Sequence, residues 1–126
     1  AFYISGEVKQ ISWASQVWMT LGGAKHSGAE LLKRLENTSA EAMVTPYMYH
    51  NYVDALLSVG QKDKAREVLC TYWGGMLDAG ADTFWEAYDP QNDYISPYNF
   101  HPLNSYCHAW SCTPVYFIYT YPEIFQ

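Results

Sequence analysis

The sequence predicts an all-α chain of about five helices, arranged as antiparallel helical hairpins in the manner of a toroid or solenoid. Three observations carry this. Apolar residues recur at helical spacing through most of the 126 residues. Glycines close the periodic stretches, at Gly22-Gly23, Gly60 and Gly80. The joints between stretches are short, with one long exception. The length suits one domain with one modest core.

The first helix is "ISWASQVWMTLGG", apolar nearly all round through Trp13, Val17, Trp18 and Leu21, and so expected to be buried. One of its two tryptophans is expected to line a pocket. The second, "SGAELLKRLEN", opens with Ser27 and Glu30 in capping-box spacing. Glu30 and Arg34 stand at i, i+4, and Leu32 and Leu35 supply the apolar side. The third, "TPYMYHNYVDALLSVG", has Thr45 as N-cap, Pro46 at the first helical position and Gly60 beyond its end. Met48, Tyr52, Ala55, Leu56 and Val59 share one face. The fourth, "QKDKAREVLCTYWGGMLDAG", carries a stripe of Ala65, Val68, Leu69, Tyr72, Trp73, Met76 and Leu77 opposite its charges. From Ala81 to Leu103 periodicity vanishes, and "EAYDPQNDYISPYNFHPLN" has the three prolines and three asparagines of a long loop. The fifth helix is expected from about Ser105 to Tyr119, with Cys107, Trp110, Pro114, Phe117 and Ile118 on one side. Thr113-Pro114 should kink or restart it. No sequence repeat marks a regular solenoid.

Net charge is −6, from 7 basic and 13 acidic residues, which argues against nucleic acid or an anionic membrane as partner. Lys62, Lys64 and Arg66 are interrupted by Asp63 and Glu67 and read as a solvated helix face. No apolar run is long enough to span a bilayer and no signal peptide is legible. The opening "AFYISGE" reads as the interior of a longer chain. Cys70, Cys107 and Cys112 are odd in number and irregularly spaced, so no disulfide framework is expected. His101, Cys107, His108 and Cys112 miss the spacing of zinc sites. Asp89 and Asp93 in "DPQND" fit a turn better than a calcium loop. No metal or cofactor is expected.

Aromatic residues make up 17% of the chain, with twelve Tyr and five Trp. Most belong to a tyrosine-rich core, and the surplus beside polar residues offers faces to a sugar or aromatic ligand. "GADTFWE", from Gly80 to Glu86, stands out, because a surface loop has no use for Phe84 and Trp85 and a core has none for a glutamate. The combination points to a carboxylate in an aromatic pocket, where an apolar wall raises its pKa.

"YWGGMLDAGADTFWE", followed some twenty residues later by "SYCHAWSCTPVYFI", resembles the C-terminal part of the catalytic domain of bacterial α-L-rhamnosidases. "VTPYMYHNYVDALLSVGQKDKAREVL" fits the helical pair that precedes this motif in the family. The resemblance runs from about Trp13 to Ile118 and implies part of an (α/α)6 toroid in an inverting glycoside hydrolase. It implies that Glu86 is the general base that activates water, and that His108, in "CHAW", contacts the sugar. Trp85 and Trp110 become candidate walls of the site. The family's general acid and several sugar-binding carboxylates correspond to positions before Ala1, and its β-sandwich to positions after Gln126. Residues 1–126 are therefore expected to be a fragment, roughly the last five of twelve helices, whose partners are a rhamnoside-type carbohydrate and the rest of the parent chain. Cut faces bearing Trp13, Val17 and Trp18 at one end and Trp110, Phe117 and Ile118 at the other are expected to drive self-association, most simply as a homodimer. Two other readings are another (α/α)6 sugar-processing enzyme and a non-catalytic helical carbohydrate-binding or interaction module.

Overall fold

The structure is a computed structural model that describes residues 1–4, 6–24 and 28–126. Five α-helices are present among these residues: α1 Trp13–Leu21, α2 Gly28–Leu35, α3 Pro46–Ser58, α4 Lys62–Asp78 and α5 Pro114–Thr120. Short 3₁₀ turns lie at His101–Leu103, Ala109–Ser111 and Pro122–Phe125. The described residues form no strand beyond a bridge between Ser12 and Glu41.

Local chemistry sets the helix ends. Ser12 caps α1 by accepting the Ser15 N–H at 3.2 Å. Thr45 accepts the Met48 N–H at 3.4 Å ahead of Pro46, as expected for α3. Gly60, at φ 79°, and Gly80, at φ 95°, turn the chain in the left-handed region after α3 and α4. The capping box expected at the start of α2 needs Ser27, which lies outside the described residues.

α3 is the hub. It packs on α4, with which it forms one hairpin, and on α1, which forms a second hairpin with α2. The core joins Leu32, Tyr52, Val53, Leu56, Leu69, Trp73, Met76 and Phe117. Nearly the whole predicted stripe of α4 is in it, but Leu77 is 56% exposed. α1 also departs from expectation. Only Gln16 and Val17 are buried on it, and Trp18 and Met19 face outward. Buried Gln16 is satisfied by the N-terminal segment, whose Tyr3 donates its N–H to Oε1 at 2.9 Å and accepts from Nε2 at 2.7 Å.

The fifth helix is shorter than predicted. The segment from Ser105 to Cys112 is irregular with one 3₁₀ turn, and the helix begins afresh at Pro114. Proline lacks the N–H to continue a helix but is suited to start one. Cys107 and Cys112 thus do not share a helix. Phe117 drives α5 into the core, whereas Ile118 on the expected apolar side is 54% exposed. All three cysteines are free and exposed. The basic face of α4 is solvated, with Lys62 paired to Glu123 at 2.9 Å and Lys64 to Glu67 at 3.0 Å.

Candidate active site

After Gly80 the chain runs extended past Glu86, departs into the long loop, and returns alongside itself. The outgoing and returning limbs are stitched by backbone bonds from Glu86 N–H to the Ser105 carbonyl at 2.8 Å and from His108 N–H to the Phe84 carbonyl at 2.9 Å. The Thr83 hydroxyl donates to the Tyr106 carbonyl. Ser111 fastens both limbs to the core: its hydroxyl donates to the Trp85 carbonyl at 2.6 Å, and its carbonyl accepts from Trp73 Nε1 on α4 at 2.8 Å. Tyr88 N–H reaches the Val44 carbonyl at 3.0 Å, which ties the outgoing limb to the start of α3.

Glu86 is 1% exposed. One carboxylate oxygen, Oε1, accepts from the Tyr98 hydroxyl. The other, Oε2, accepts the Ser105 N–H at 2.9 Å and lies 3.9 Å from His108 Nδ1. Burial by itself pushes the carboxyl up. The Tyr98 hydrogen bond, the Ser105 amide and the His108 ring together outweigh it and hold the group below its ordinary 4.5. The direction is opposite to the raised pKa expected from the apolar wall, because the donors act on the ionised form. Glu86 is therefore a carboxylate at neutral pH, able to accept a proton but not to donate one.

Trp110 joins this cluster. Its Nε1 donates to the Glu86 backbone carbonyl at 3.3 Å, and its ring lies 4.3 Å from the His108 ring and 5.8 Å from that of Tyr47 at the start of α3. Trp110 is 37% exposed, so part of its face is free. Three predicted residues, Glu86, His108 and Trp110, are thus brought together.

Trp85 faces a different space. With Tyr88, Asp93, His101, Asn104 and Tyr106 it lines a cleft of about 380 Å³ that does not include the Glu86 carboxylate, His108 or Trp110. Its ring packs edge-on against Tyr106 at 5.4 Å. Neighbours along an extended segment point to opposite sides, which separates Trp85 from Glu86. Neither tryptophan of α1 lines this cleft. Trp13 packs against Tyr52 at 5.0 Å, and Trp18 sits by Tyr3 and Ile4.

Asp89 forms the expected side-chain turn, accepting the Gln91 N–H at 2.9 Å, and Asn92, rather than Asp93, forms a second by accepting the Tyr94 N–H at 3.1 Å. Among the described residues no three His, Cys, Asp or Glu side chains gather as metal ligands, and no helix is long and apolar enough to cross a membrane. Sequence reasoning missed Tyr98, Ser105 and Ser111. Tyr98 and Ser105 come to Glu86 through the return of an aperiodic loop, which no local pattern encodes.

The comparisons agree with this architecture. A family model described as the bacterial alpha-L-rhamnosidase 6 hairpin glycosidase domain matches residues 25–121. A solved structure, the rhamnosidase from Klebsiella oxytoca with rhamnose bound, is 48% identical over 96% of this chain, with a TM-score of 0.90. The matched part is 24% of that longer chain. A comparison with curated proteins gives no match. The two helical hairpins and α5 thus form part of an all-α six-hairpin toroid, and the chain belongs to the bacterial α-L-rhamnosidase six-hairpin glycosidase family.

Proposed function

We propose that residues 1–126 act as the C-terminal segment of the (α/α)6 catalytic domain of an inverting glycoside hydrolase that cleaves terminal α-L-rhamnosides. In this reading Glu86 is the general base. It takes a proton from a water molecule as that water attacks the anomeric carbon on the face opposite the leaving group. Inversion uses a second carboxyl, the general acid, roughly 6.5–9.5 Å away across the sugar. The rest of a longer parent chain supplies that acid. His108 and Trp110, beside Glu86, contact the sugar ring, and Trp85 walls the adjoining cleft.

The observation that carries the reading is the state of Glu86: buried to 1% exposure, yet kept ionised by the Tyr98 and Ser105 donors. Likeness to a rhamnosidase with rhamnose bound supports the substrate class. In the parent enzyme, Glu86→Gln is expected to lower kcat by roughly 10²–10⁴, the usual contribution of a general base. Proton NMR of the first-formed sugar should show the β-anomer. Unchanged turnover by a well-folded Glu86→Gln enzyme removes Glu86 from the mechanism. The 126-residue chain by itself is expected to release no aglycone from an aryl α-L-rhamnoside.

A further inference from the structure

A base this deeply covered must keep a defined orientation while leaving room for one water molecule. The donor to Oε1 is the Tyr98 hydroxyl, from a residue that belongs to neither limb of the site. It comes from the long loop, on a turn where Ser96 Oγ accepts the N–H of Tyr98 at 3.1 Å and of Phe100 at 3.3 Å. The arms of that loop are cross-braced by Asn104 Nδ2, which donates to the Ile95 carbonyl. Tyr98 is about half exposed, so neither its ring nor its position is demanded by core packing. Its hydroxyl nevertheless meets the buried carboxylate.

We propose that Tyr98 is a positioning residue for the general base, fixing the Glu86 carboxylate through Oε1 while the Ser105 N–H fixes it through Oε2. A carboxylate has about four acceptor positions. Two are used by these donors, so each oxygen keeps capacity for the attacking water. The titratable groups facing Glu86 are Tyr98 from the loop and His108 from the returning limb. The hydrogen bond also raises the Tyr98 phenol above its ordinary 10.0, so it remains a donor throughout the neutral range. This inference rests on the general-base reading of Glu86.

The test compares Tyr98→Phe, Glu86→Gln and the parent enzyme by the pH dependence of kcat/KM on an aryl α-L-rhamnoside. Tyr98→Phe keeps the ring and removes the donor. Its acidic limb is expected to move to higher pH, with about tenfold lower kcat/KM on that limb, the size of one lost charge-assisted hydrogen bond. Placing 3-fluorotyrosine at position 98, a stronger donor of nearly the same shape, should move the limb to lower pH than in the parent. A Tyr98→Phe limb superimposable on the parental one overturns the proposal. Should Tyr98→Phe fail to fold, the fluorotyrosine enzyme decides alone: a limb moved to lower pH supports the role and an unmoved limb overturns it. Persistent activity in Glu86→Gln would instead overturn the base reading, a result that the Tyr98 profiles do not mimic.

Discussion

Ser111 has one hydroxyl and one carbonyl, and each holds a different part of the site. The side chain is fully buried, so loss of its hydroxyl leaves the Trp85 carbonyl with no donor from residue 111. Ser111→Ala is expected to destabilise the chain by about 1–3 kcal/mol, measured by urea unfolding. Two other residues set the response to acid. Because the Glu86 carboxyl is depressed when folded, its contribution is present in full above 4.5 and is lost as pH falls through the folded-state value. His50 acts at milder pH. Its ring lies 4.8 Å from that of Phe117, its Nδ1 is buried with no partner among the described residues, and burial pulls its pKa below 6.5 although Asp54 opposes this. Below 6.5 the unfolded chain takes up a proton that the folded chain resists, so stability declines as pH falls from there. Urea midpoints at pH 7.5 and 5.5 should differ for the parent and draw together in His50→Gln. An equal difference in both removes His50 as the cause.

At the scale of the element, helix ends make the sharpest expectations. Thr45→Ala removes the cap of the central helix and should cost about 1 kcal/mol. Gly28 opens α2 where a Cβ would lie 2.6 Å from Thr20 Cγ2 on α1 and 2.9 Å from Val59 Cγ1. Gly28→Ala therefore forces the start of α2 away from Thr20 and Val59, at roughly 1–3 kcal/mol by overpacking. A midpoint equal to or above the parental one shows that the neighbours give way. These same local signals explain what was legible beforehand. Thr45, Pro46, Gly60 and the α4 stripe each act within a turn or two of themselves, so α3 and α4 are legible in the sequence nearly as they stand. Cys107, Trp110 and Pro114 happen to fall at helical spacing, but the backbone at Ser105 and His108 is bonded to Glu86 and Phe84 instead. That pairing joins residues about twenty positions apart, and no periodicity announces it. Leu77 and Trp18 show the other limit: spacing assigns them to a stripe, while only the packed neighbours decide whether a stripe is wide enough to cover them. At the site, the motif points to Glu86, His108 and Trp110, which the fold brings together, while Tyr98 is hidden by the loop that delivers it.

At the scale of the molecule, the accessible surface is 7735 Å² for 14.4 kDa. A compact monomer of that mass exposes about 6,800 Å². The excess, roughly 900 Å², is close to one side of an ordinary protein interface. Trp18 and Met19 of α1 and Val115, Ile118 and Tyr119 of α5 contribute exposed apolar surface to it, whereas Val17 and Phe117, expected at these faces, are buried within the chain. Self-association of the isolated chain is therefore the expected outcome, with sedimentation coefficients that rise across a micromolar concentration series. A single sharp monomer boundary at high micromolar concentration contradicts it. The stitched limbs around Glu86 have a different consequence, for descent rather than assembly. A loop that leaves and re-enters through one clamp is free to grow or shrink, since doubling its length adds only about 0.6 kcal/mol of closure entropy. Insertions between Asp89 and Ser96 would leave the carboxylate where it is, provided the turn bearing Tyr98 still reached it. Divergence within the family can then rewrite the surroundings of this site, residue by residue, without disturbing the Glu86 carboxylate at its centre.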